Sequence, residues 1–201
     1  MEKQPIIAVI GLATHGKSTV CSILTDFCPK LKFTTIPFAK GVKDAAQRLG
    51  WNGKKDAKGR TILQHLGTEV CRNIDPDYWT KRWEENMNDA IAHGAEVILC
   101  DDLRFPNELE FLKSKGAYII KVKKKLSLWQ RFKRKVALFF GRVHASEICF
   151  KDKEDFCDLV IENYWGFDAL EKALEKVVLD CNLRDLDALD LYISETEAKD
   201  S

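Results

Sequence analysis

The run Gly11-Leu-Ala-Thr-His-Gly16-Lys17-Ser18 constrains this chain more than any other feature. It fits G-x-x-x-x-G-K-[ST] in full and lies between two contrasting segments. Before it, Pro5–Ile10 is a short apolar, β-branched run; after it, Lys17–Phe27 carries Val20, Ile23, Leu24 and Phe27 at helical spacing. Strand, glycine-rich turn and helix in that order make a phosphate cradle. Glycines let the backbone wrap closely round phosphate oxygens, and successive N–H groups with the helix N-terminus supply positive potential.

On this reading Gly11, Thr14, His15, Gly16, Lys17, Ser18 and Thr19 line an ATP site. Lys17 reaches the β- and γ-phosphates and the Ser18 hydroxyl ligates Mg²⁺. His15 is read as a variable loop position that presents its backbone N–H. The plainer alternative is a glycine-rich turn that binds nothing. A loop of this kind also leaves a switch GTPase, an ATPase and a small-molecule kinase undivided. No N-K-x-D guanine-reading motif occurs in the chain, which argues against the first.

The remaining pattern alternates. Helices are expected over Lys40–Leu49, Arg60–Arg72 and Tyr78–His93, the last closed by Gly94. A buried strand, Glu96–Cys100, delivers Asp101 and Asp102 to its end. A helix over Asn107–Lys115, a strand over Ala117–Val122, a strand over Asp158–Glu162 and a helix over Phe167–Val178 complete the reading. Strands alternating with helices imply parallel pairing, so an α/β sheet covered on both faces is expected. At 201 residues the chain has room for a single domain, here residues 1–179, followed by an acidic tail, 180–201, fraying into disorder. That tail holds seven Asp/Glu against two Lys/Arg. The segment 121–142 is the opposite, with nine Lys/Arg and no acidic residue. Overall the charges cancel to +1, which gives no reason to expect stable nucleic-acid binding. Seven scattered cysteines without a C-x-x-C pair, and no leader-like N-terminus, point to reduced thiols in a cytoplasmic setting. No apolar run is long enough to cross a membrane.

Beyond the loop, Asp102-Leu-Arg104-Phe-Pro-Asn107-Glu108 resembles the D-[VL]-R-F-x-N-E block of the phage-type deoxynucleoside monophosphate kinases. Four further stretches match that family in the same order. They are Pro37-Phe38-Ala39-Lys40; Arg60-Thr-Ile-Leu63-Gln64-His-Leu-Gly67-Thr68-Glu69-Val-Cys-Arg72 with Trp79; His144-Ala-Ser146-Glu147; and Val160-Ile-Glu-Asn163. The loop departs from the family's usual G-K-D-T by reading Gly16-Lys17-Ser18-Thr19, which restores the ordinary metal-ligating hydroxyl.

The resemblance implies a nucleotide-kinase fold of the P-loop class, a mostly parallel sheet with helices on both faces plus a lid. It further implies Mg²⁺- and ATP-dependent phosphorylation of a deoxynucleoside monophosphate, in host cytoplasm if the source is viral; the sequence leaves the oligomeric state open, with a homodimer as one option. Arg72, then Arg104, then Lys40 are expected on the acceptor phosphate, because an arginine's planar fork meets phosphate oxygens bidentately. Asp102 is expected to hold Mg²⁺ or position the acceptor, with a helix or turn cap as its plainer alternative. Gln64 and Trp79 are candidates for the acceptor base, and His144 and Glu147 for a site beside the lid. Arg131 and Arg134, in the lid candidate 121–143, are expected to swing over the ATP phosphates. A solvated basic face, or an amphipathic helix resting on anionic membrane, competes with that lid reading. The other functional classes kept open are a different small-molecule kinase, such as one for dephospho-coenzyme A, and a non-catalytic nucleotide-binding regulator.

Overall fold

The computed structural model describes residues 4–12, 15–124, 150, 154–163 and 167–183. Its centre is β1 (Ile6–Ile10), five consecutive buried residues. An unbroken apolar strand of this kind needs cover on both faces, as in a parallel sheet. Around it the order is β2-β3-β1-β4-β5, with β2 (Phe33–Thr35), β3 (Val97–Cys100), β4 (Tyr118–Lys124) and β5 (Leu159–Asn163) all parallel. Ile7 faces Leu99 on one side and Tyr118 on the other.

Alternation along β1 divides the core in two. Ile6, Ala8 and Ile10 pack with Trp79 and Trp83 of α5 (Tyr78–Ala92) and Leu112 of α6 (Pro106–Ser114). Ile7 and Val9 pack with Val20 and Leu24 of α1 (Lys17–Phe27) and Leu174 and Val177 of α7 (Phe167–Asp180). The expected α/β sheet covered on both faces is the architecture observed. Because β1 has β3 on one flank and β4 on the other, the loop leaving its C-terminal end opens at a switch point, where α/β sheets bind ligands.

Four boundaries differ from the sequence reading, each for a physical reason. The helix expected from Lys40 is α2 (Phe38–Arg48) and begins two residues earlier. Its cap comes from a distant strand end: the Phe38 and Ala39 N–H groups donate to Asp102 Oδ1 (2.7 Å) and Oδ2 (2.8 Å). The helix expected over Arg60–Arg72 is three pieces, α3 (Ala57–Gln64), a π-helical stretch His65–Val70, and α4 (Cys71–Ile74). Asp56 starts α3 by accepting the Gly59 N–H at 2.7 Å. Within the π stretch the Gly67 carbonyl accepts the Trp79 indole N–H at 2.7 Å. β4 extends to Lys124, so residues 121–124 of the lid candidate are strand. There Lys121 is buried and its ammonium donates to the Phe150 carbonyl at 2.9 Å, while Lys123 pairs with Glu154. Finally, α7 runs through Asp180 and Leu183 is buried, so packed structure passes the expected tail boundary at 180. β2 is the one described strand that the sequence reading did not contain.

Candidate active site

The phosphate loop leaves β1 at Gly11 and enters α1 at Gly16, whose φ of +98° is a left-handed conformation that glycine adopts without strain. Gly11 passes so close to β4 that a Cβ there would lie 2.6 Å from the Val122 carbonyl oxygen. The same oxygen accepts a hydrogen bond from His15 Nδ1 at 3.2 Å, and the His15 side chain is buried. His15 is therefore more than a position presenting its backbone: its ring ties the far side of the loop to β4. Both ends of the loop thus rest on one carbonyl. Gly11→Ala should push them apart at an overpacking cost of about 1–3 kcal/mol. The expected result is a lower melting temperature and weakened ATP binding by calorimetric titration; unchanged ATP affinity would show that the close approach at Val122 is dispensable.

Lys17 curls back over the loop, donating to the carbonyls of Gly11 (3.0 Å) and Leu12 (3.3 Å). Burial lowers its pKa from the ordinary 10.5, and the positive charge of Arg104 lowers it further. The carboxylates of Asp101 and then Asp102 oppose both effects, so all four groups share one electrostatic field. Ser18, at the second position of α1, is exposed.

The two aspartates at the end of β3 differ in their contacts. Asp102 has both oxygens engaged as the cap of α2, and its carboxyl is raised in pKa by burial despite those two N–H donors. The plainer alternative for Asp102 is what the contacts show. Asp101 is the carboxylate that acts more strongly on Lys17. Among the described residues no three or more His, Cys, Asp or Glu side chains cluster as a metal cage. Mg²⁺ does not need one, since it keeps waters and takes substrate phosphates with one or two protein oxygens. Ser18, next to Lys17, and Asp101, whose charge acts on Lys17, are oxygen donors that could serve such an ion.

Following these aspartates in the chain comes a tight constellation. Glu108, 2% exposed and third in α6, accepts the backbone N–H groups of Arg104 (2.9 Å) and Phe105 (3.0 Å). It also holds Arg72 of α4 through an Nη2–Oε1 ion pair of 2.5 Å. Arg72 lies over the Phe105 ring, 3.8 Å from its centroid, and Nη1 reaches Asn107 Oδ1 at 3.4 Å. Its Nε is the one buried side-chain N or O without a hydrogen-bond partner among the described residues. Asn107 in turn donates to the Pro76 carbonyl at 2.8 Å. The sequence pattern puts Asn107 and Glu108 at a helix start; that Glu108 also spans to α4 is a finding of the structure. The spacing of Glu108 from Pro106 signals the cap; nothing local signals Arg72.

The remaining expected residues separate. Arg104 is exposed within the field of Lys17. Lys40 is exposed and paired with Asp44 at 2.7 Å. Gln64 is exposed at the end of α3. Trp79 is a correction: at 2% exposure, with its N–H held by Gly67 and its ring against Gly41, it has no face for a base and serves the core. Thr14, Arg131, Arg134, His144 and Glu147 lie outside the described residues.

Residues 40–131 match the profile of the deoxynucleotide monophosphate kinase family. The resemblance read from the sequence is borne out. A provisionally named deoxynucleotide monophosphate kinase of Acanthamoeba polyphaga mimivirus is 28% identical over 145 residues, 58% of this chain and 72% of its own. Among solved structures, dephospho-CoA kinase from Campylobacter jejuni superposes with a TM-score of 0.51 at 17% identity, covering 90% of this chain and 97% of its own. Shikimate kinase from Aquifex aeolicus gives 0.42 at 14% identity, over 88% and 96%. The fold is that of a P-loop kinase, and the family match supports a phosphotransferase acting on nucleotides. No helix among the described residues is long and apolar enough to cross a membrane.

Proposed function

We propose that this protein transfers the γ-phosphoryl group of ATP to a deoxynucleoside 5′-monophosphate, releasing ADP and the deoxynucleoside diphosphate. The observation that carries the reading is the family match over residues 40–131, on a chain whose β1 end bears a complete phosphate loop. An acceptor phosphate oxygen attacks the γ-phosphorus in line. The bond from that phosphorus to the β–γ bridging oxygen breaks, and no covalent enzyme intermediate is needed.

The chain's own part is positioning and charge. The loop amides and Lys17 hold the donor phosphates, and Lys17 must leave the Gly11 and Leu12 carbonyls to do so. Arg104, exposed beside Lys17, meets the transferred group. Arg72 faces the acceptor monophosphate with donors that Glu108 and Asn107 leave unused, the second hydrogens of Nη1 and Nη2. Ser18 and Asp101 would hold Mg²⁺, which would supply further positive charge to the donor phosphates. Gln64 is kept as a base contact, and Arg131, Arg134, His144 and Glu147 as lid-side residues, on the resemblance alone. A viral relative fits a setting in host cytoplasm.

The test is coupled ADP release with ATP and Mg²⁺ across the deoxynucleoside monophosphates, their ribonucleotide counterparts and dephospho-coenzyme A. Turnover with one or more deoxynucleoside monophosphates is expected. Turnover confined to dephospho-coenzyme A, or ATP binding without any transfer, would overturn the proposal.

A further inference from the structure

Among the buried ionisable groups of the described residues that the mechanism above leaves unused, one touches both arginines. Glu108 is 2% exposed, yet it takes a cation from α4 and two backbone N–H groups from the loop between β3 and α6. We propose that Glu108 is the positioning residue of the acceptor site, setting Arg72 through its side chain and Arg104 through its backbone as one rigid unit. The inference rests on the reading of Arg72 as an acceptor-phosphate contact.

Geometry carries the argument. α6 needs only the Phe105 N–H to be capped by Glu108, which is the reach-back half of a capping box. The bond to the Arg104 N–H fixes the residue that bears the exposed guanidinium, one position further back. The ion pair to Arg72 crosses from α6 to α4, 36 residues apart in sequence. Phe105, the residue after Arg104, closes the face of the Arg72 guanidinium at 3.8 Å. Asn107 then anchors the assembly to the turn before α5 through the Pro76 carbonyl. Removing the charge of Glu108 therefore loosens Arg72 and its neighbour together, while the phosphate loop, which rests on Val122, is untouched.

A helix cap alone predicts something different. It would cost stability and leave the two substrates equally affected. A positioning role predicts a split, because misplacing a phosphate contact by an ångström costs on the order of 10²-fold while distant contacts stand.

The experiment compares wild type, Glu108→Gln, Arg72→Lys and the double variant, with thermal melting, and with KM for ATP and for whichever deoxynucleoside monophosphate the wild type turns over best. Glu108→Gln keeps an oxygen for the N–H groups and is expected to fold. The acceptor KM should rise about 10- to 100-fold in each single variant, with KM for ATP within about twofold of wild type. The double variant should be no worse than the poorer single, since both substitutions break one unit. A raised acceptor KM in Arg72→Lys with an unchanged one in Glu108→Gln would overturn the positioning role and leave the acceptor reading of Arg72 standing. Unchanged acceptor KM in both would overturn that reading as well. Additive effects, or equal rises for both substrates, would return Glu108 to a purely structural cap. Should Glu108→Gln melt at the assay temperature, Glu108→Asp supplies the same comparison, because it keeps the charge and shortens the reach. If the wild type turns over no monophosphate, both proposals fall together.

Discussion

Lys17→Ala should lower kcat by about 10²–10³-fold, the scale of removing one charged donor from a developing phosphoryl transition state, and leave the fold in place. The structure explains why folding should survive. Among the described residues the ammonium donates to the loop carbonyls of Gly11 and Leu12, which water can serve once it is gone. The pH dependence gives a second readout. Burial first, and the charge of Arg104 next, lower the pKa of Lys17 from 10.5. The sign follows directly: the ammonium is lost as pH rises through a value below that of a free lysine. ATP binding by wild type should therefore weaken on the alkaline side earlier than an ordinary lysine would dictate, and Lys17→Ala should lack that limb. Near-normal kcat in the variant, measured by ADP release on a sample with wild-type melting, would remove the phosphate loop from the mechanism.

How much of this was legible beforehand depended on whether the deciding contact was local. The loop, β1 and α1 follow from consecutive residues, because glycine geometry and apolar periodicity act over a few positions. The start of α2 does not, since its cap is Asp102, 64 residues away from Phe38. From sequence Asp102 is open to Mg²⁺, to the acceptor or to a cap, and the same bond makes it the cap of α2. A strand-end aspartate looks alike from sequence whether it faces a cation or a helix N-terminus. The break between α3 and α4 likewise depends on the Gly67 carbonyl meeting Trp79, a partner 12 positions on. Trp79 itself was open to either use, and only its burial decides for the core. β2 is three residues long, too short for a period to declare itself. The arginines were identifiable as phosphate-type residues through the resemblance. That a single glutamate joins them was not, because neither helix pattern encodes the distance between α4 and α6.

Arg104→Ala should lower kcat by about 10²-fold with little change in stability. The side chain is exposed, and substitutions at such positions usually stay within about 0.5 kcal/mol. The backbone N–H that Glu108 accepts remains in the variant, so the unit built on Glu108 keeps its shape. What is lost is one positive charge beside the transferring group, where donors act most strongly on the transition state. The loss has a signature that Lys17 reports. Arg104 is the charge that lowers the Lys17 pKa most after burial, while Asp101 and Asp102 raise it. Without Arg104 the Lys17 ammonium should persist to higher pH, and the alkaline limb of ATP binding should move upward. Two measurements therefore separate the possibilities: kcat near neutral pH, and ATP affinity across an alkaline series. A fall in kcat together with the shifted limb places Arg104 between donor and acceptor. A fall without the shift would move it to the acceptor side, away from Lys17. Unchanged kcat, with melting also unchanged, would make Arg104 a surface cation and leave Arg72 as the arginine on which the proposed transfer depends.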